Sequence, residues 1–313
     1  MKGIELAERF YLEYGAPMIH EKFPEIEEVL AVGIAGSGSE CFGYDDETSH
    51  DHDFEAGFCI FLPDEDVIDR KTAFELERAY AKLPCEFMGI KRERLSPVGG
   101  ARRGVIRIND FLREKTGTPD GILSTEAWFA LPEQSLAEVT NGKIFRDDWG
   151  CFSGIRQRFS YLPEEVRLKK LAGELLVMGQ SGQYNYTRSV ARGESAAAQL
   201  AMGEFVNAAL HAAFLLNKGY MPYYKWRFRA LSELPRLSEL YEPLEYLISS
   251  GNSEEEVCKK TRIVEEIAGQ IIAILNVDDL SDYTGAELEG HAYAVNNRIT
   301  DEGVRNLHIL YGV

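Results

Sequence analysis

Gly36-Ser-Gly-Ser-Glu-Cys-Phe-Gly43, followed closely by Ser49-His-Asp-His-Asp-Phe54, is the most informative part of this 313-residue chain. The run Val29–Ile34 before it is short, apolar and β-branched, which predicts a buried strand that ends near Gly36. The segment Asp51–Leu62 becomes continuously apolar toward its end, which is typical of a second interior strand. A turn rich in glycine and serine therefore lies between two predicted strands.

The turn has the residue types that bind phosphate. Gly36 and Gly38 allow the backbone to approach a ligand closely, and the Ser37 and Ser39 hydroxyls can donate to phosphate oxygens. If Ser39 begins a helix, the positive end of that helix adds to the site. The pattern predicts a phosphate cradle made by Gly36, Ser37 and Ser39 together with exposed backbone N–H groups.

The D-x-D pair has the residue types that bind a divalent metal. Alternate residues of a strand point to the same face, so Asp51 and Asp53 share a face with Cβ atoms roughly 6–7 Å apart. Magnesium takes one or two protein carboxylates together with substrate phosphates. Asp51 and Asp53 are thus the predicted metal ligands and catalytic residues, and the two motifs together predict a nucleotide–magnesium half-site.

The two halves of the chain differ in their patterns. The first half combines short strand-like runs, including Gly104–Ile108, with a helical pattern over Asp66–Leu83. From Pro163 onward the pattern is almost entirely helical, with glycines between candidate helices. We expect an α+β protein with domains at 1–155 and 156–313 and a boundary within Trp149–Tyr161. The candidate helices of the second half lie near 163–181, 194–217, 222–233, 236–250, 253–276 and 284–298.

Composition limits the class of protein. Hydrophobic residues make up 45% of the chain, no apolar run has the length of a membrane span, and the five scattered cysteines form no C-x-x-C pair. The net charge of −17 and the lack of a basic stripe disfavour binding to extended nucleic acid. We expect a cytoplasmic protein without a membrane segment, whose acidic surface suits a cationic substrate or a protein partner.

A known superfamily shares these motifs. The segment GSGSECFGYDDETSHDHDFEAGFCIFL resembles the G-S and D-x-D signature of the DNA polymerase β-like nucleotidyltransferase superfamily. Within it, the chain looks similar to an uncharacterised bacterial nucleotidyltransferase-like family, a domain of unknown function. That similarity extends to STEAWFALPEQSLAEVTNGKIFRDD, NYTRSVARGES and GYMPYYKWRFRAL. The resemblance implies a small mixed sheet with helices, followed by a helical bundle that closes over the nucleotide as in aminoglycoside nucleotidyltransferases.

The resemblance also implies a reaction. A nucleoside monophosphate would pass from a nucleoside triphosphate, with ATP the first choice, to a hydroxyl of a small molecule or protein, with Mg²⁺ or Mn²⁺ as cofactor. By analogy with two-domain transferases, Lys225 would reach the phosphates from the helical domain, although it could equally be a solvated surface lysine. Arg188 and Arg192 lie one helical turn apart and could clamp a phosphate, but an ion pair with Glu194 competes with that role.

One feature of the superfamily is not located in the sequence. Its catalysts have a third carboxylate on a later strand, whereas the candidate segment here, Gly104–Asp110, has Arg107 at its centre. Asp110 and Glu86 are the available substitutes. A catalytically inactive nucleotide-binding regulatory protein is therefore one alternative. A second alternative, an antibiotic nucleotidyltransferase of the aminoglycoside type, rests on the net charge of −17 and on the general similarity to those enzymes.

Overall fold

The computed structural model describes residues 1–47, 55–92 and 103–313. Contacts between residues divide the chain into two compact units. The first unit contains residues 1–123 and 131–160, and the second contains residues 124–130 and 161–313. The segment around the predicted boundary contains a helix, Cys151–Arg158, which belongs to the first unit.

A four-stranded mixed sheet organises the first unit. The strands of this unit are β1 (Ala31–Ile34), β2 (Cys59–Leu62), β3 (Glu86–Phe87), β4 (Ile90–Lys91), β5 (Gly104–Arg107) and β6 (Lys143–Asp147). The strand order of the sheet is β5-β2-β1-β6, with β1 antiparallel to both β2 and β6, and β2 parallel to β5. A separate antiparallel pair joins β3 to β4.

Helices surround this sheet within the first unit. They are α1 (Gly3–Phe10), α2 (Ala16–Lys22), α3 (Ser39–Phe42), α4 (Arg70–Ala81), α5 (Ile108–Thr116), α7 (Glu133–Thr140) and α8 (Cys151–Arg158), while α6 (Thr125–Ala130) belongs to the second unit. A π-helical turn, Tyr11–Gly15, joins α1 to α2.

Alternation along β2 separates the two faces of the sheet. Ile60 and Leu62 belong to the apolar core that also contains Phe10 of α1. Phe61 points to the other face, where its ring centroid lies 4.2 Å from that of Phe152 in α8. Burial on both faces explains why the end of this segment is apolar without interruption.

Several predicted boundaries in the first half require correction. The interior strand begins only at Cys59 because residues 55–58 are not extended strand, and residues 51–54 lie outside the described residues. The predicted helix starts at Arg70 because the Asp69 carboxylate accepts a hydrogen bond from the N–H of Thr72 and caps it there. Strand β6 was not predicted, since Lys143–Asp147 has no clear alternation.

The second unit is helical. Its helices after α6 are α9 (Glu164–Met178), α10 (Tyr186–Ala191), α11 (Ser195–Leu216), α12 (Arg227–Ser232), α13 (Tyr241–Ser249), α14 (Glu254–Val277), α15 (Leu288–Asn297) and α16 (Glu302–Arg305). Helix α9 packs against both α11 and α15, and most of its residues are buried. The helices predicted near 163–181, 194–217 and 253–276 are confirmed as α9, α11 and α14. A π-helical segment, Gly179–Asn185, continues α9.

Helix α11 is the most apolar helix of the second unit. Among the described residues, it alone is long and apolar enough to cross a membrane by length and composition, and 67% of its most apolar window is buried inside the protein. Burial of that extent is what the core helix of a soluble protein shows.

The strands and helices together confirm the predicted α+β class in its coarse form, as a small mixed sheet with many helices.

Candidate functional site

The Gly36–Ser39 turn follows β1 directly. Gly36 and Gly38 have φ angles of +106° and +123°, which side chains with a Cβ rarely adopt. Ser37 between them is exposed, and α3 begins at Ser39. Because α3 is a single turn of four residues, its dipole adds little to the turn.

Asn141 holds the start of the turn in place. Its side chain accepts from the Gly36 N–H at 2.9 Å and donates to the Gly36 carbonyl at 2.8 Å. Arg156 fixes the end of α7 just before Asn141 by donating to the carbonyls of Val139 and Thr140 at 2.9 and 2.6 Å. The N–H of Gly36 is therefore used inside the protein, and the donors for a ligand lie from Ser37 onward.

A buried ion pair touches the exposed serine of the turn. Lys115 Nζ lies 2.7 Å from Glu138 Oε2, and the side chains of both residues are only 9% exposed. Ser37 Oγ donates to the same carboxylate oxygen at 3.1 Å and accepts from Lys115 Nζ at 3.2 Å. Gln134 donates to the other carboxylate oxygen at 3.2 Å. Helices α5 and α7 thus bring a cation and an anion to the serine, which sequence reasoning did not predict.

The charge state of Lys115 follows from its partners. Burial by itself lowers the pKa of Lys115, but hydrogen bonds to Glu114 and Glu138 outweigh that effect and leave the pKa above its ordinary value. Lys115 is accordingly a protonated ammonium group at neutral pH.

A second buried ion pair fixes α3. Arg103, which precedes β5, donates to the Glu40 carboxylate and lies 3.7 Å from Cys41 Sγ. The Arg103 and Glu40 residues are 4% and 8% exposed. The Arg103 stem also lies against Gly57, where an added Cβ would be 3.1 Å from Cγ of Arg103. This arrangement ties the helix after the turn to the start of β2 and β5.

The predicted metal ligands Asp51 and Asp53 lie outside the described residues. Within residues 1–47, 55–92 and 103–313, no three His, Cys, Asp or Glu side chains are grouped so that they could hold a metal ion. The role predicted for Asp51 and Asp53 stays a prediction.

The candidates for a third carboxylate are on the surface. Asp110 lies in the first turn of α5, where its side chain is 65% exposed and pairs with Arg113 at 2.7 Å. Glu86 is exposed in the short strand β3. Arg107 is the last residue of β5 rather than its centre, and its guanidinium donates to the Pro63 carbonyl at 2.7 Å.

The predicted cationic ligands Lys225 and Arg188 both belong to the second unit and are exposed. Lys225 lies in a single 3₁₀ turn, Tyr224–Trp226, and not at the start of an α-helix as its position suggested. Its Nζ is 4.5 Å from the ring centroid of Trp226, and the Arg188 guanidinium carbon is 4.6 Å from that of Tyr184. Each cation thus lies over an aromatic ring, and its role toward phosphate stays a prediction.

Comparison with known proteins gives a match over part of the chain and no function. Residues 128–227 match the model of a domain of unknown function, DUF4037, which covers about a third of the chain. No curated protein and no solved structure matches the chain. The matched segment includes Glu138, Asn141, Arg188 and Lys225 but not the Gly36–Ser39 turn.

Three residues at the turn, Asn141, Lys115 and Glu138, were not predicted from the sequence, and only the first has a recognisable sequence pattern around it. Asn141 and Gly142 form an Asn-Gly pair after a helical pattern, which is a turn signal that could have drawn attention to them. Lys115 and Glu138 are ordinary charged residues within helices. Their pairing has no local sequence signal.

Proposed function

We propose that this chain is a cytoplasmic, Mg²⁺-dependent nucleotidyltransferase. It would move a nucleoside monophosphate from a nucleoside triphosphate, with ATP the first choice, to a hydroxyl of a small molecule or protein. The observation that supports this most strongly is the turn after β1, where Gly36 and Gly38 have positive φ angles and the exposed Ser37 touches the Lys115 ammonium. Close backbone approach, a hydroxyl donor and a cation are what a polyphosphate requires.

The chain's own residues would share the work of binding. Ser37 and Ser39 would donate hydroxyl hydrogens to phosphate oxygens, and Asp51 and Asp53 would hold the metal. The chemistry that Mg²⁺ supplies when bound is neutralisation of the charge on the leaving pyrophosphate. In the transfer, the acceptor hydroxyl releases its proton to solvent, its oxygen bonds to the α-phosphorus, and the bond from the α-phosphorus to pyrophosphate breaks, so that pyrophosphate leaves with the electron pair of that bond.

The first prediction tests this function. Mg²⁺ and ATP should raise the thermal stability of the full chain, by about 2.7 kcal/mol at a ligand concentration of 100 times the Kd. Asp51→Asn/Asp53→Asn should reduce pyrophosphate release on the order of 10²-fold or more, since it removes the charges that hold the metal while keeping side-chain size. Differential scanning fluorimetry and a coupled pyrophosphate assay measure the two effects.

The matched control is Asp66→Asn, which neutralises an exposed aspartate in the turn before α4. It should leave both the stabilisation by Mg²⁺–ATP and the pyrophosphate release unchanged. Full turnover in the double variant would show that the assignment of Asp51 and Asp53 is wrong. Stabilisation by ATP without pyrophosphate release, across a panel of hydroxyl acceptors, would contradict transfer and leave binding alone.

A further inference from the structure

A buried cation lies beneath the exposed turn of the first unit. Lys115 Nζ is 3.2 Å from Ser37 Oγ, although only 9% of the lysine side chain is exposed. A Cβ built on Gly36 would lie 3.9 Å from Lys115 Cε, so the lysine stem passes under the turn. The ammonium group is thus one hydroxyl away from the surface at which a ligand of Ser37 would bind.

The three donors of the ammonium group have partners of different exposure. One is 2.7 Å from Glu138 Oε2, one contacts Ser37 Oγ, and one is 2.7 Å from Glu114 Oε1. The Glu114 side chain is 68% exposed. Ion pairs with a solvated partner contribute little to stability. Lys115 can therefore exchange Glu114 for another anion at low cost.

Glu138 occupies the acceptor position that a phosphate would need. A serine hydroxyl has a single proton, and Ser37 donates it to Glu138 Oε2 at 3.1 Å. A phosphate oxygen that accepts from Ser37 must replace this carboxylate oxygen. The carboxylate is also a like charge within a few ångströms of the incoming phosphate.

We propose that Lys115 is a phosphate ligand of the nucleotide site, and that Glu138 is an internal anion with which the phosphate competes for Lys115 and Ser37. The inference rests on the proposed function for the identity of the ligand as a nucleotide polyphosphate. Lys115 would give the nucleotide site a cation from the same unit as the turn. Glu138 would lower the affinity for phosphate while it keeps the buried ammonium paired.

A lysine beside a serine could also activate the serine as a nucleophile. That chemistry requires a neutral amine, which forms when the lysine pKa falls toward neutrality. Glu114 and Glu138 instead keep the pKa of Lys115 above its ordinary value, despite burial. The pair of carboxylates favours a permanent cation and hence phosphate binding.

The second prediction compares variants of the two partners of the ion pair between Lys115 and Glu138. Titration calorimetry measures how Mg²⁺–ATP and inorganic tripolyphosphate bind to the full chain. Lys115→Gln should raise both Kd values by about tenfold to a hundredfold, through loss of one charge-assisted hydrogen bond. Glu138→Gln should lower both Kd values at least about threefold, because a like charge is removed. Opposite signs are the signature, since both variants break the same pair.

Two controls separate binding from structure. Glu114→Gln removes a carboxylate from the exposed side of the same lysine and should change both Kd values by less than about twofold. Lys115→Arg keeps the charge and should retain most of the affinity that Lys115→Gln loses. If Lys115→Gln does not fold, the tighter binding expected of Glu138→Gln tests the proposal, and unchanged or weaker binding in Glu138→Gln would contradict it. Weaker binding in both Lys115→Gln and Glu138→Gln would mean that the pair is only structural.

The outcomes distinguish this inference from the proposed function. Unchanged affinity in Lys115→Gln, with turnover lost in Asp51→Asn/Asp53→Asn, would overturn the inference and leave the function standing. Tripolyphosphate binding that depends on Lys115, without any ATP turnover, would support the inference and contradict nucleotidyl transfer. Failure of the wild-type chain to bind either ligand would overturn both.

Discussion

At the scale of single residues, the turn after β1 depends on contacts with residues far along the chain. The Asn141 side chain makes hydrogen bonds to both the N–H and the carbonyl of Gly36. The next residue, Gly142, donates its N–H to the Cys41 carbonyl at 2.7 Å. Gly142 has a φ angle of +69°, and a Cβ built there would lie 1.9 Å from the Ile34 carbonyl oxygen. The backbone after α7 is thus packed directly against the end of β1, and this packing places Asn141 against the turn.

The third prediction concerns this close approach. Gly142→Ala combines an unfavourable φ angle with a collision against the Ile34 carbonyl, so that β1 and β6 must separate locally. We expect the free energy of unfolding to fall by about 3 kcal/mol or more. Chemical denaturation followed by circular dichroism measures the change.

Gly43→Ala is the matched control for Gly142→Ala. Gly43 has a nearly equal φ angle of +72°, but nothing lies within 4 Å of a Cβ built there. The free energy of unfolding of Gly43→Ala should therefore fall only by the conformational cost of placing alanine at a positive φ angle, about 1–2 kcal/mol. Equal losses in the two variants would mean that the contact with Ile34 does not contribute.

At the scale of elements, a buried lysine in the second unit donates to carbonyl and amide oxygens of residues that are distant in the sequence. Lys169 of α9 is fully buried, and its Nζ donates to Asn296 Oδ1 at 2.8 Å and to the carbonyls of Arg305 and Leu307 at 3.1 and 2.6 Å. Burial lowers the pKa of Lys169 because the charged form loses its hydration. These hydrogen bonds tie α9 to α15 and to the residues that end α16.

The fourth prediction tests that tie. Lys169→Met keeps most of the aliphatic volume but removes the donor from three partly buried acceptors, of which the Arg305 carbonyl still accepts from Asn296 Nδ2 at 3.3 Å. We expect the free energy of unfolding of the second unit to fall by about 1–3 kcal/mol, because the acceptors that lose their donor carry a desolvation cost. Urea denaturation gives the value, and Lys22→Met, an exposed lysine in α2, should leave the midpoint unchanged. An unaltered midpoint in Lys169→Met would show that water replaces the amine without loss.

At the scale of the whole molecule, a net charge of −17 repels a nucleotide at long range. Any phosphate site on such a protein needs local cations, and Lys115 would supply one of them. The five thiols of the molecule differ in burial. Cys41 and Cys59 are buried, Cys151 is partly buried, and Cys85 and Cys258 are exposed.

The fifth prediction follows from this distribution. Burial raises the pKa of the Cys41 thiol to about 11, in spite of the nearby Arg103. At pH 8 about one molecule in a thousand would carry this thiolate, so a thiol reagent should label Cys85 and Cys258 rapidly and Cys41 and Cys59 only after unfolding. Mass spectrometry of the labelled chain checks the order.

Cys85→Ser/Cys258→Ser should remove the rapid phase of labelling and leave the slow phase intact. Rapid labelling of Cys41 in the native chain would contradict the burial of this thiol beside Arg103.

Local patterns in the sequence were sufficient for the regular elements with strong periodicity. The apolar run at β1, the strand at β5 and the helices α9, α11 and α14 follow from spacings of two to four residues, which depend on the backbone alone. The glycine- and serine-rich turn could be located for the same reason. Strand β6 and the first residue of β2 could not be predicted from the sequence, because pairing with a neighbouring strand determines where each of these strands forms.

The amino-acid sequence by itself determined the α+β class, the position of the serine turn and the hypothesis of a nucleotide site with Asp51 and Asp53. Only the tertiary structure decided what surrounds the turn. Lys115, Glu138 and Asn141 lie 78, 101 and 105 residues from their partners Ser37 and Gly36. Contacts at such separations come from the packing of α5 against α7 and β5, next to the turn that follows β1, and no local periodicity encodes them. The buried cation that would bind phosphate is therefore a product of the fold.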